Sequence, residues 1–71
     1  MGPHHYRVIV FGRLGETSRG IFEDLCVEPD GANTWLTGEL DQPALFGVLD
    51  RTQGLGLELV AVNRLDGEPS R

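Results

Sequence analysis

The stretch "TWLTGELDQPALFGVLDRTQGLGLELV", residues 34–60, holds the change of hydrophobic period that decides the fold. Up to Leu40 the period is two, with Thr34, Leu36, Gly38 and Leu40 on one side and Trp35, Thr37 and Glu39 on the other, as a strand requires. From Asp41 it lengthens, so that Ala44, Leu45, Val48, Leu49 and Thr52 share one helical face. The Asp41 carboxylate suits an N-cap, and Pro43 is tolerated in a first turn that needs no intrahelical N–H. Gly54 is expected as the left-handed C-terminal cap, with Leu55 folding back on the last turn. The spacing predicts a helix over residues 42–53 and then a strand over 57–65, with Leu57, Leu59 and Ala61 facing one way and Val60 and Val62 the other.

Working back from this segment, "PDGAN" at 29–33 reads as a tight turn, because aspartate before glycine favours the positive φ of hairpins. It joins a strand at "LCVEP" to the strand at 34–40. Residues 18–25, "SRGIFEDL", predict a short helix capped by Thr17 or Ser18, with Ile21, Phe22 and Leu25 at helical spacing and Gly20 weakening it. Residues 6–14 read as a strand, Tyr6, Val8 and Val10 on one face and Ile9 and Phe11 on the other. The order strand, helix, strand, strand, helix, strand is that of the ferredoxin-like or split βαβ fold, an α+β four-stranded antiparallel sheet with a short first and a longer second helix on one face. One domain is expected over 6–65, between an N-terminal tail at 1–5 and a polar tail at 66–71. The first and last strands are expected side by side at the centre.

Such a fold leaves one sheet face without a covering element. Ile9, Phe11, Trp35, Val60 and Val62 are the candidates for that face, as interface or ligand residues, since an uncovered apolar patch marks a contact. A chain of 71 residues barely outweighs its folding entropy with one core, and a lone cysteine forms no internal disulfide. Oligomerisation is the remaining staple, so a homodimer or higher homo-oligomer is expected. Cys26 is read as a small buried hydrophobe on a strand, and a single thiol fits a reducing compartment.

Eleven acids face six arginines and no lysine, a net charge of −5 that repels phosphate backbones and argues against nucleic acid. The longest apolar runs, "VIVF" and "LVAV", fall far below the roughly 20 residues of a membrane span, and the N-terminus lacks the order of a signal peptide, so a cytoplasmic protein with no membrane partner is expected. The adjacent His4 and His5 are open to two readings, native sequence or the remnant of an affinity tag. Neighbouring side chains on a strand point to opposite faces, which argues against a metal there.

"GRLGETSRG" at 12–20 matches neither a dinucleotide-binding glycine loop nor a P-loop, both of which bring close backbone approach and a helix N-terminus together at a phosphate. Its "GRLG" resembles the nucleotide-clamping loop of KH domains, but that loop joins two helices and this one follows a strand. A strand end and a turn explain it more simply. Arg13 and Arg19 remain weak candidates for binding an anionic small ligand. None of the carboxylates forms an isolated pair, no nucleophile elbow is present, and no catalytic residue, metal or cofactor is expected. A cleft over the open sheet would draw on Tyr6, Arg7, Trp35, Glu39 and Arg64.

The segment from Thr34 also resembles a family of short, uncharacterised bacterial proteins of high-GC genomes that carry T-x-L-x-G-x-L-D-Q-x-A-L and then G-L-x-L. Here those positions are Thr34, Leu36, Gly38, Leu40, Asp41, Gln42, Ala44, Leu45, Gly54, Leu55 and Leu57, somewhat over a third of the chain. The resemblance implies a ferredoxin-like fold and no reaction. Gln42 alone has no evident structural task. The function expected is a small self-associating accessory or regulatory module, working through protein contacts or a small ligand at an oligomer interface. The alternative is a cofactor-independent cyclase, isomerase or monooxygenase with a pocket over the sheet.

Overall fold

A computed structural model of the chain describes residues 3–65, the side chain of Thr17 excepted; the polar stretch at 66–71 lies outside the described residues. The elements in order are β1 (His4–Phe11), α1 (Glu16–Ile21), β2 (Cys26–Asp30), β3 (Asn33–Leu40), α2 (Gln42–Gly54) and β4 (Glu58–Arg64). All three strand pairings are antiparallel, and the sheet order is β2-β3-β1-β4. β1 thus runs parallel to β2 with β3 between them, and β3 parallel to β4 with β1 between them. The fold is α+β, a four-stranded antiparallel sheet with two helices.

The order corrects one expectation. β1 and β4 are neighbours, but the centre belongs to β1 and β3, and β4 is an edge strand. The tight hairpin holds β3 against β2, and β3 pairs with β1 along its whole length, from His4 opposite Leu40 to Phe11 opposite Asn33. That leaves β4 a neighbour on its β1 side alone. The apolar character of β4 on both faces is therefore not that of a buried central strand.

The core lies on one face. Val8 and Val10 of β1, Leu36 and Leu40 of β3, and Leu45 and Val48 of α2 pack with Phe22 and Leu25, all buried. The β3 alternation matches the structure, with Thr34 and Leu36 inside and Trp35 on the opposite face. Gly38 is required by close approach: a β-carbon there would stand 2.6 Å from Leu25 Cδ2, so the leucine fills the space that the glycine leaves. In the hairpin turn Gly31 takes φ 62°, the conformation that aspartate-glycine turns favour.

α2 is built as its sequence implies at the start and differently at the end. Asp41 accepts a hydrogen bond from the Ala44 amide at 2.9 Å, and Leu45, Val48 and Thr52 are buried, while Ala44 is exposed. The helix runs through Gly54, Leu55 is the cap in right-handed conformation, and the left-handed residue is Gly56, φ 75°. Both glycines can follow a helix, so the second one takes the role expected of the first.

α1 also departs from expectation. It begins at Glu16 after Gly15, which supplies no side-chain cap, and ends at Ile21. Ile21 is 40% exposed; the anchors are Leu14 before the helix and Phe22 and Leu25 after it. A second tie comes from α2, where Arg51 donates to the Ile21 carbonyl at 3.1 Å and lies 3.8 Å from Asp24. Six residues do not make a self-supporting helix, and these tertiary contacts hold it.

Candidate interaction surface

The face opposite the helices carries Arg7, Ile9 and Phe11 from β1, Trp35, Thr37 and Glu39 from β3, and Cys26 and Glu28 from β2, as the cross-strand partners require. Ile9 lies directly opposite Trp35, and both are half-buried. The Arg7 guanidinium carbon stands 3.9 Å from the centroid of the Trp35 ring, a cation–π geometry. Arg7 Nε is buried and has no hydrogen-bond partner among the described residues, so the ring is the contact that its cation makes on this side. The largest aromatic of the open face is therefore covered in part by the chain itself. No sequence periodicity signals this, because Arg7 and Trp35 are diagonal neighbours on two strands.

Cys26 is exposed, not buried. It opens edge strand β2 opposite Thr37, and its thiol reaches no closer than 3.8 Å to the Glu28 carboxylate. The expectation of a buried small hydrophobe fails because the inward position of β2 falls to Val27, opposite Leu36.

Exposed apolar side chains gather on β4. Leu59 is 47%, Val60 50% and Val62 37% exposed. Strict alternation puts Val62 on the open face with Ile9, and the structure does not. A register shift between Ile9 and Val10 leaves Val60 without a β1 partner, so Ala61 faces Ile9 whereas Val62 faces Val8 and Leu59 faces Val10 on the core side. A bulge of one residue exchanges the faces of everything beyond it. Leu59 and Val62 thus extend the core side to its rim, where α2 leaves them open. Phe11, 54% exposed, ends β1 opposite Glu58.

The remaining candidates are placed separately. Arg13 and Arg19 are both exposed, one in the connection after β1 and the other on α1. Tyr6 packs against the core, Glu39 is exposed opposite His5, and Arg64 lies opposite Tyr6 on β4. His4 and His5 are strand residues paired with Leu40 and Glu39, so β1 begins two residues before the sequence suggests. Gln42 is exposed in the first turn of α2. No group of three metal-ligating side chains and no cavity occur among the described residues, and no described helix is long and apolar enough to cross a membrane.

These features define a small α+β domain whose distinctive surface is an apolar sheet edge. A family model described as a domain of unknown function (DUF8691) matches residues 5–63, and the chain belongs to that family. No curated protein and no solved structure matches the chain.

Proposed function

We propose that this chain is a self-associating accessory or regulatory module of ferredoxin-like, split βαβ topology, working through protein contacts at an oligomer interface. The observation that carries the reading is the exposure of Leu59, Val60 and Val62 together on one edge strand. Monomeric domains blunt such edges with charge, proline, a bulge or a cover; β4 has the bulge at Val60 but neither proline nor a cover, and an apolar edge left open is a template for another chain. Each half-exposed valine or leucine adds about 1 kcal/mol when covered, given about 1.5–3 kcal/mol for complete burial. The expected order β1-α1-β2 and β3-α2-β4 supports the fold name, since each pair of parallel strands brackets a third. The exposed single thiol suits a reducing compartment, and we place the protein in the cytoplasm. We take the segment from Thr34 to Leu45 as the family's bacterial signature.

Sedimentation equilibrium over a dilution series from 1 to roughly 100 μM tests the reading, that span covering the micromolar affinities of modest interfaces. A mass that rises with concentration, and a Leu59→Ser variant that stays monomeric, are the expected results. A wild-type monomer over the whole range refutes self-association.

A further inference from the structure

We infer that the open face of the sheet docks a cationic amphipathic helix of a partner protein, lying along β1 and β3. This surface is separate from the β4 edge, and the inference does not depend on self-association. It starts from where the fold places the charge of the chain.

The strand registers arrange the open face in rows that run across the sheet. One row is Asp30, Asn33, Phe11 and Glu58, and the next is Glu28, Trp35, Ile9 and Ala61. Arg7 follows in the third row, and Glu39 lies beyond it opposite His5. The apolar side chains of the first two rows thus stand mainly on the inner strands, with carboxylates on the outer strands to either side. Glu28, Asp30, Glu39 and Glu58 are all exposed, and none forms an ion pair among the described residues. The one arginine of the face, Arg7, lies over the Trp35 ring instead. On the rest of the described chain five carboxylates are matched by four arginines, so the acidic excess sits mainly on this face.

That charge excludes some occupants and selects another. Two copies packed face to face would set these carboxylates against their own kind, so this face repels a second copy. Nucleic acid and anionic lipid are repelled in the same way. A helix is about 10–12 Å across, and β2 and β4 stand about 14 Å apart, three strand spacings. An apolar stripe laid on Phe11 and Ile9 therefore brings one flank of the helix beside Glu28 and Asp30 and the other beside Glu58. Lysine or arginine on both flanks completes the match. A basic amphipathic helix presents this pattern, and the apolar stripe supplies the anchor while the cations fix its placement.

The test is a titration of about 1 μM protein with a synthetic peptide of leucine and lysine alone, its leucines on one helical face and its lysines on both flanks. A length of about 14 residues matches the roughly 20 Å from Phe11 to His5. Trp35 is the one tryptophan of the chain and lies on the face, so its emission reports binding at the site. A blue shift that saturates at micromolar peptide is expected. Glu58→Lys, Asp30→Lys and the uncharged change Phe11→Ser should each raise Kd by about tenfold. Asp50→Lys, on the exposed side of α2, alters the net charge as Glu58→Lys does and should raise Kd by less than about threefold. Far-ultraviolet circular dichroism confirms that each variant is folded. Trp35 emission that stays unchanged at about 100 μM peptide overturns the inference. So does an Asp50→Lys variant that loses as much affinity as Glu58→Lys, because net charge and not the face then attracts the peptide. Both results leave the mass of the free protein, and with it self-association, to be judged on its own measurement.

Discussion

The contact between Arg7 and Trp35 decides whether the open face is an apolar landing site or a surface that the chain has already covered. The perturbation is a double-mutant cycle of Arg7→Leu and Trp35→Leu, which removes the cation or the ring while keeping an apolar side chain on the sheet. Cation–π contacts contribute about 0.5–1 kcal/mol at exposed positions and about 2 kcal/mol when desolvated. Both residues are half-buried, the separation is 3.9 Å, and the Arg7 Nε is buried without another partner among the described residues. A coupling of about 1 kcal/mol follows. Urea denaturation at the lowest workable protein concentration reads it, so that association does not enter. In a domain of this size about 1 kcal/mol corresponds to about 4–8 °C in Tm, which gives a thermal check. Independent sites add to within about 0.3–0.5 kcal/mol. Single effects that sum inside that margin would show that the ring and the guanidinium do not hold each other, and the open face would return as the first candidate interface.

Three further outcomes test how the sheet is held. The Thr34 hydroxyl donates to the Gly12 carbonyl at 2.6 Å while the Gly12 amide donates to the Ala32 carbonyl at 2.7 Å, so Thr34→Val should cost about 1–2 kcal/mol in chemical denaturation by leaving the Gly12 carbonyl unpaired. Gly38→Ala should cost about 1 kcal/mol because the new β-carbon meets Leu25 Cδ2, and pairing it with Leu25→Ala should cost less than the sum of the two single changes. Asp41→Ala should lower stability by about 1 kcal/mol through loss of the α2 N-cap, with Asp41→Asn close to the wild type in the same urea titration.

Where local chemistry acts alone, the sequence is sufficient. The Asp41 cap, the buried stripe of α2, the alternation of β3 and the aspartate-glycine hairpin each depend on residues within a turn or a strand of one another. What is not legible depends on neighbours distant in the chain. The bulge at Val60 has no glycine to mark it, and without it strict alternation assigns Val62 to the wrong face. Two apolar faces on β4 suggest a central strand, since burial on both sides and exposure at an edge awaiting a partner leave the same pattern of residues. Cys26 reads as buried because free cysteines usually are, whereas the parity of β2 against β3 turns it outward. The Arg7 contact requires two strands to be in register before it can be seen. Of the five candidate interface residues, Ile9, Phe11 and Trp35 share the open face, and the two valines belong to the edge.

Size explains why the edge carries more of the argument than the face. Eight buried apolar side chains form the core, while stability near 0.05–0.15 kcal/mol per residue leaves a chain of this length only about 4–10 kcal/mol. An open face can be partly satisfied from within, as Arg7 does over Trp35, because side chains on adjacent strands reach one another. An edge has no such remedy. The outward amides and carbonyls of β4 meet either water or another strand, and Leu59, Val60 and Val62 beside them favour the strand. β2 meets the same problem with Pro29, Glu28 and Asp30. β2 is defended by proline and charge and β4 by its bulge alone, and that difference is the physical reason to test β4 for a partner strand.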